Sequence, residues 1–386
     1  MDRPAVPHVL LEHLEELAAL LVQRRKLLFS PEVPLRRLKL HDERIEAHLD
    51  GLRTGGSAGV KIAEDRLAGD PWVVAAAARV WMSQGEPSQQ ALMERLKTAA
   101  PDSCPAWKEA FRAIPPRLVQ RLLPQEGAER LPSPVLEIAA DAWGWHGLLL
   151  PVTAAVLVNS PEPSVRFSLT RHAAQNSSGT DRLLEDADVM VRRAALWSLA
   201  LRNPKAAVEG SRQLSRAAQP DPFALRVLGL LGERADGRLL VAALAQPDPG
   251  LKIATLHALR DLAHPEFADA VLEVVEGKDD EAAAAAREVF ASLVGKLPSP
   301  DPEKRAPPGI SPTRFQWQQA RPKLDLSVRR LQGEPVPWGG DPGDEPMERV
   351  WRTACCPGKP ETVWLRREVP DGFFTGVPSP VAIPGE

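Results

Sequence analysis

Apolar residues recur along this chain in short blocks with helical spacing, and polar or proline-containing breaks separate the blocks. The clearest example is Gln219–Val275, where the same order of features occurs twice. Each copy has an Asp-Pro opening, an Ala/Leu-rich helix, a short break and a second apolar helix. The openings, Asp221-Pro222 and Asp248-Pro249, lie 27 residues apart. The pattern predicts a repeat of two short helices.

Similar openings occur through most of the chain, at a period of roughly 30 residues. They are Asp70-Pro71, Pro101-Asp102, Pro132–Pro134, Glu162-Pro163, Asp188 and, more weakly, Asp279. A pair of short helices cannot bury its own apolar face, so each pair must stack on its neighbours. We therefore expect a mainly α fold in which residues 70–297 form an α-solenoid of helical hairpins.

The residues before this array predict a helical cap over residues 1–69. Residues 7–28 carry apolar positions three, four and seven apart, which is typical of an amphipathic helix. A second helix is expected in the segment LKLHDERIEAHLDGLRTGG and a third, shorter one at residues 57–68.

The composition changes after Leu297, where LPSPDPEKRAPPGISP predicts a Pro-rich linker over residues 298–311. Residues 312–386 contain several Trp and Phe residues, and disordered tails are usually poor in aromatic residues. Leu324, Leu326 and Val328 alternate with polar residues, and VWRTACC and TVWLRREV could pair as a hairpin. We expect a small appendage here, β-rich or irregular, that packs on the last repeat or on a partner.

The first helices of three repeats share an inner pattern, written EPSVRFSLTRHA, DVMVRRAALWSLA and DPGLKIATLHALRDL. In each, an acidic residue is followed by an apolar residue and then a basic one. This pattern resembles the HEAT repeat, including its short form found in phycobilisome-lyase-like proteins. The resemblance implies that such acids and bases form a structural ladder between repeats. The corresponding residues here are Arg166, Asp188, Arg192, Asp248 and Lys252.

The segment HDERIEAHLDGLR at 41–53, followed by a Gly-rich turn and AGVKIAEDRL, is similar to a narrower group. That group is an uncharacterised family of proteobacterial HEAT-repeat proteins, often encoded beside type VI secretion genes. The resemblance implies an accessory or scaffold role in such a system.

Charge and cysteine content narrow the class of protein. The 48 basic and 51 acidic side chains nearly balance, which disfavours nucleic acid as the main partner. Three cysteines, of which Cys355 and Cys356 are adjacent, are typical of a reduced cytoplasmic protein. Glutamates interrupt the first apolar stretch, and no window is long enough to insert into a membrane.

Candidate catalytic chemistry is sparse. His41, Asp42 and Glu43 are consecutive on a predicted helix, so their side chains point in different directions and cannot hold one metal. No His is followed directly by Glu, which removes a resemblance to the di-iron hydroxylases built from HEAT repeats. No phosphate-binding glycine motif is present. We expect no catalytic residue, no metal and no cofactor.

The leading hypothesis is a non-catalytic scaffold or adaptor that binds another protein or a peptide on a concave face. Second helices usually line such a face. They are expected at 88–98, 116–123, 205–217, 237–245 and 266–277. The residues expected to contact a partner are Gln89, Glu94, Arg121, Arg212, Arg216 and Arg238.

The alternative hypothesis is a nucleic-acid-binding enzyme that resembles the HEAT-like DNA glycosylases. It rests on the ten tryptophans and on basic doublets such as Arg192-Arg193 and Arg329-Arg330. It predicts a continuous positive groove with an exposed Trp and a carboxylate.

Overall fold

The computed structural model describes residues 6–28, 35–85, 87–99, 101–171, 180–295, 297, 306–326, 330–331 and 334–335. Within these ranges the chain is mainly α-helical, with eighteen α-helices and one pair of two-residue strands. The chain divides into two compact units. Unit 1 extends to Ser198 and unit 2 begins at Leu199.

Unit 1 begins with three helices that match the predicted cap and continues with helices in pairs. Its helices are α1 (Pro7–Leu28), α2 (Leu35–Thr54), α3 (Ser57–Asp65), α4 (Pro71–Gln84), α5 (Gln89–Thr98), α6 (Cys104–Ala113), α7 (Pro116–Leu122), α8 (Ser133–Trp145), α9 (Pro151–Val158) and α10 (Pro163–Arg171). The unit boundary falls inside the next helix, α11 (Val189–Arg202).

The first helices of the pairs pack directly on one another in unit 1. Helix α4 contacts α6, α6 contacts α8, and α8 contacts α10. Fully buried Trp107 and Trp143 lie in this row, and Trp81 meets Trp107 edge to face. The helices α1, α2 and α3 pack on one another and on α4. The core of unit 1 therefore follows the row of first helices.

Unit 2 repeats this order of packing. Its helices are α12 (Pro204–Ser215), α13 (Pro222–Leu231), α14 (Gly237–Leu244), α15 (Pro249–Leu262), α16 (Ala268–Val275), α17 (Asp280–Val294) and α18 (Pro312–Ala320). Helix α13 packs on α15 and α15 packs on α17, while α14 contacts α15 and α16 contacts α17. Gly229 brings α13 close to α15, because a Cβ there would lie 2.4 Å from the Ala258 carbonyl oxygen.

Several of the acidic residues at the openings cap the helices that follow them. Asp70 accepts hydrogen bonds from the backbone N–H groups of Trp72 and Val73, at 2.9 and 3.2 Å. Asp221, Asp248 and Asp279 cap α13, α15 and α17 in the same way. Proline follows three of these four caps, at a position where its missing N–H costs nothing. The helix starts are thus encoded locally.

The segment after the linker differs from the β-rich appendage expected there. Residues 312–320 form helix α18, because Ser311 caps it, Pro312 occupies its first turn and Trp317 supplies a buried contact. The strands Arg330–Leu331 and Glu334–Pro335 form an antiparallel pair, whereas Leu324 and Leu326 lie outside any strand. Val328, most of the linker and the hairpin expected from VWRTACC and TVWLRREV lie outside the described residues.

Helix α18 docks on helices α16 and α17 of unit 2. The Trp317 indole N–H donates to the Asp269 Oδ1 of α16 at 2.7 Å, and its ring meets Phe290 of α17 edge to face. The Arg314 guanidinium pairs with Glu276 at 2.6 Å. Of the two positions expected for the appendage, its first part occupies the one on the last repeat.

Candidate functional site

A buried polar cluster links the first helices of unit 1. The Lys108 Nζ of α6 donates to the Glu137 Oε1 of α8 at 2.6 Å and to the Ser168 Oγ of α10 at 3.0 Å. Ser168 is fully buried, and Lys108 is 15% exposed. A Lys that activates a serine nucleophile must be neutral and must reach substrate. Here Glu137 stabilises the ammonium and no substrate can reach Ser168, so the cluster is structural.

The next turn of the same helices carries a second buried pair. The Arg112 guanidinium donates two hydrogen bonds to the Asp141 carboxylate, at 2.8 and 2.7 Å, and lies over the Trp145 ring. Asp141 is 1% exposed. The Trp143 indole N–H donates to the Leu123 carbonyl at 2.7 Å. Trp143 and Trp145 are therefore packing residues, and neither is placed to stack on a base.

Two-pronged Arg–Asp pairs recur between successive helical pairs. The set is Arg112–Asp141, Arg166–Asp186 and Arg212–Asp236, and the carboxylates are 1%, 6% and 4% exposed. Hydrogen bonds from the Arg166 guanidinium hold the pKa of Asp186 below its usual value, against the effect of burial. These pairs act as cross-links between adjacent parts of each unit.

The residues expected to form a ladder are placed differently from one another. The partner of Arg166 is Asp186, whereas Asp188 caps its own helix by accepting from Met190 and Val191, at 2.8 and 3.1 Å. Asp188 therefore acts through its helix cap, and the direct ion pair with Arg166 is made by Asp186. Asp248 likewise caps α15, and Lys252 is half-buried on that helix.

Arg166 and Arg192 share a local arrangement that the repeat pattern did not reveal. Arg166 Nη1 donates to the carbonyls six and five residues before it, those of Ser160 and Pro161, at 2.7 and 3.0 Å. Arg192 Nη1 does the same with Asp186 and Ala187, at 2.7 and 3.0 Å. The basic residue of the motif therefore fixes the loop that enters its helix.

Most of the residues expected to contact a partner are exposed. Gln89 and Glu94 of α5, Arg121 of α7, Arg216 after α12, and Arg238 of α14 all have exposed side chains. Arg212 differs, because its guanidinium is held by Asp236 at 2.7 Å and is only 26% exposed. The assignment of Arg212 to partner binding stays a prediction, and in the structure this residue forms an ion pair within unit 2.

Helix α9 carries an exposed aliphatic face that sequence reasoning missed. Leu150, Val152 and Val156 are 51%, 70% and 39% exposed. The helix PVTAAVLV is apolar on all sides, so its pattern could not tell which residues face the core. Thr153, Ala154, Leu157 and Val158 are the ones that do.

Gln125 fixes the start of α9 beside the end of α7. Its side-chain N–H donates to the Leu148 carbonyl at 2.7 Å, and its side-chain oxygen accepts from the Leu150 N–H at 2.8 Å. The 3₁₀ turn Ala128–Arg130 also contacts α9. The exposed Arg121 of α7 and the exposed Leu150 thus lie on neighbouring segments.

An open polar groove of about 930 Å³ lies among α2, α3, α4 and α5. Its lining contains the cations Arg53, Lys61 and Arg95 and the carboxylates Glu64 and Asp65. Arg95 pairs with Glu64 at 3.5 Å across the groove. The mixture of charges and the shallow form favour a peptide segment over a small reacting molecule.

Three histidines of the first two helices, His13, His41 and His48, form hydrogen bonds. His41 bonds to the Leu20 carbonyl at 2.8 Å and Asp42 pairs with Arg24 at 2.7 Å, while Glu43 is exposed, so these three diverge. His13 and His48 share a hydrogen bond of 3.1 Å between their Nδ1 atoms. Burial, and then His13, lower the pKa of His48. The described part of the chain contains no group of three side chains placed to hold a metal ion.

The glycosylase hypothesis requires an exposed Trp. The described ranges contain seven of the tryptophans, and each of these is buried or half-buried. Trp338, Trp351 and Trp364 lie outside them. The described residues therefore show no exposed Trp of the kind that this hypothesis predicts.

Among the helices described, none has the length and apolarity needed to cross a membrane. Comparison of the chain with protein-family models, curated proteins and solved structures gives no match.

Proposed function

We propose that this chain is a non-catalytic scaffold or adaptor, built as a HEAT-like α-solenoid, that binds another protein or a peptide through its second helices. Nucleic acid is not its main partner in this proposal. The packing order of the helices is the observation that carries it.

Within each unit the first helices form a continuous row, α4–α6–α8–α10 in unit 1 and α13–α15–α17 in unit 2. A stack of helical hairpins produces this order, because each hairpin buries its face on the next. The row uses the first helices for stability and leaves the second helices with an outward face. That face is available for binding.

The distribution of charge supports a binding role over a catalytic one. The buried ionisable groups of the first helices, such as Lys108 and Arg112, are committed to ion pairs. A catalytic acid or base must be accessible to the substrate, and its pKa must lie near the working pH. The exposed charged residues Glu94, Arg121 and Arg238 lie instead on second helices.

Affinity capture from the native organism tests this proposal. The full chain is immobilised at physiological salt, and retained proteins are identified by mass spectrometry. We expect a reproducible partner whose retention falls when Glu94 and Arg121 are both replaced by Ala. Retention of no protein, together with steeply salt-dependent binding to duplex DNA, would contradict it.

We also propose an accessory role in type VI secretion, supported by the resemblance of residues 41–53 alone. Deletion of the chain in a strain that carries such a system should lower secretion of its substrates. Unchanged secretion would remove this part of the proposal and leave the scaffold role in place.

A further inference from the structure

We propose that the surface formed by α7 and α9 binds an amphipathic helix of another protein, one that carries carboxylates beside its aliphatic face. We name this surface, made of Arg117, Arg121, Leu150, Val152 and Val156, the α7–α9 surface. The inference rests on the proposed scaffold function and specifies the chemistry of the partner.

The apolar half of the α7–α9 surface is a row of aliphatic side chains. Val152 and Val156 are one helical turn apart, so they point to the same side of α9. Leu150 precedes them at the start of the helix, and the three are 51%, 70% and 39% exposed. Covering aliphatic groups releases about 25 cal/mol for each Å² removed from water, which favours an apolar contact.

The charged half is a pair of arginines on α7. Arg117 and Arg121 are also one turn apart, and both are exposed. Neither forms an ion pair with any residue that the structure describes, unlike Arg112, Arg166 and Arg212. Arginine binds carboxylates with two parallel hydrogen bonds, so two such residues in a row are complementary to two acids on a partner helix.

The two halves are held together by Gln125, which follows α7 and brackets Leu150 through both ends of its amide. The carboxylates near the point where α7 meets α9 do not make the charge of this surface negative. Glu129 is paired with Arg130, and Glu126 is exposed beside Gln125. The charges between Ala110 and Gln125 are all arginines.

A helix fits this surface better than an extended strand. Val152 and Val156 are spaced by one helical turn, and an amphipathic helix presents its own residues at that spacing. Acidic side chains on the flank of such a helix would meet Arg117 and Arg121. Opposite charge at the rim then orients the partner and excludes basic helices.

Binding of two synthetic peptides to the full chain tests the inference. The first is a helix of about 18 residues with leucines on one face and glutamates on one flank, and the second has those glutamates replaced by lysines. Fluorescence anisotropy measures both affinities. We expect the acidic peptide to bind at least about tenfold more tightly than the basic one.

Substitutions in the chain test which of its residues bind the peptides. Val152→Glu should weaken the acidic peptide by about tenfold or more, because it places a carboxylate in the apolar contact. The double change Arg117→Glu and Arg121→Glu should reverse the preference between the peptides. Leu40→Glu, which alters a 60% exposed aliphatic residue elsewhere in unit 1, and Arg66→Glu are the matched controls and should leave both affinities unchanged.

Three outcomes would overturn the inference: no binding of the acidic peptide at about 1 mM, equal binding of both peptides, or equal effects of Val152→Glu and Leu40→Glu. Failure here is distinguishable from failure of the scaffold proposal. If a native partner is retained by the chain and by Val152→Glu alike, the scaffold role stands and this surface is not its site.

Discussion

In unit 1 the row of first helices buries charged side chains, whereas α9 exposes aliphatic ones. Lys108, Arg112 and Asp141 lie inside the row and are paired, while Val152 lies outside and is 70% exposed. Hydrophobic burial alone would place these groups the other way round. The buried charges and the exposed aliphatic side chains both depart from that rule, and we expect a different role for each.

The ion pairs in the row link neighbouring helices, since Lys108 and Arg112 of α6 bind Glu137 and Asp141 of α8. Val152 and Val156 of α9 lie outside the buried core of unit 1, unlike Ala154 and Leu157 of the same helix. We therefore assign the buried charges to the architecture and propose that the exposed aliphatic residues serve binding. This division can be tested, since it predicts large stability changes in the row and almost none on α9.

The largest effect is expected from Asp141→Ala. The change removes the buried carboxylate partner of the Arg112 guanidinium, which is 10% exposed, and leaves it the more exposed Glu109 carboxylate at 2.9 Å, so the cost should lie at the lower end of the range for buried pairs. Removal of one partner of a buried ion pair costs about 3–5 kcal/mol. Urea denaturation followed by circular dichroism measures the loss. Glu129→Ala, which breaks the exposed pair with Arg130, is the control and should cost less than about 1 kcal/mol.

A similar cost for both variants would mean that the Arg112–Asp141 pair is as weak as a surface pair. The distinction between row and surface would then fail.

Gly229→Ala should have the next largest effect and extends the test to unit 2. A Cβ at position 229 would lie 2.4 Å from the Ala258 carbonyl oxygen and 2.7 Å from its Cα, so α13 and α15 must move apart. Overpacking of this kind costs about 2–3 kcal/mol, which exceeds the gain of about 1 kcal/mol from helix propensity. Thermal unfolding compares it with Gly250→Ala, whose nearest contact is 3.3 Å. Stabilisation by Gly229→Ala would show that the helices are not closely packed.

A moderate effect of pH is expected from His257 on α15. Burial, and then Arg260 and Arg226, lower its pKa to about 4. Because the folded pKa lies below the unfolded value of about 6.5, the unfolded chain binds more protons between these values. Stability is therefore complete above about pH 6.5 and falls as the pH drops towards 4, by roughly 2 kcal/mol after allowance for partial exposure.

Denaturant unfolding at a series of pH values should show that His257→Gln flattens this part of the profile. An identical profile for the variant and the natural chain would place the titrating group elsewhere, for example at His48, whose pKa is also lowered.

The smallest effect on stability is expected from Val152→Glu. The side chain is 70% exposed, so the free energy of unfolding should change by less than about 0.5 kcal/mol. The same denaturation measurement checks it. A loss above about 2 kcal/mol would mean that Val152 supports the fold, and the exposed face of α9 could no longer be assigned to binding.

The starts of the helices could be predicted because their signals are local. Asp70, Asp221 and Asp248 cap helices at the positions expected from the Asp-Pro openings. The pairing of charges could not be predicted with the same accuracy. Arg166 finds Asp186 and not Asp188, since the separation between partners depends on loop length and on which acid is already used as a cap.

Helix α18 is a second feature that depends on contacts with residues distant in the sequence. The alternation at Leu324 and Leu326 predicts strands after the linker, whereas the structure has a helix at 312–320. The contacts of Trp317 with Asp269 and Phe290 stabilise the helix, and these partners lie 48 and 27 residues away in the sequence.

The sequence by itself determined a mainly helical fold and where several of its helices begin, because caps and apolar spacing act within a few residues. Only the tertiary structure decided which charges are buried in pairs and which side of α9 is exposed. An all-apolar helix has no preferred side until its neighbours cover one, and an arginine has no partner until the chain brings a carboxylate to it.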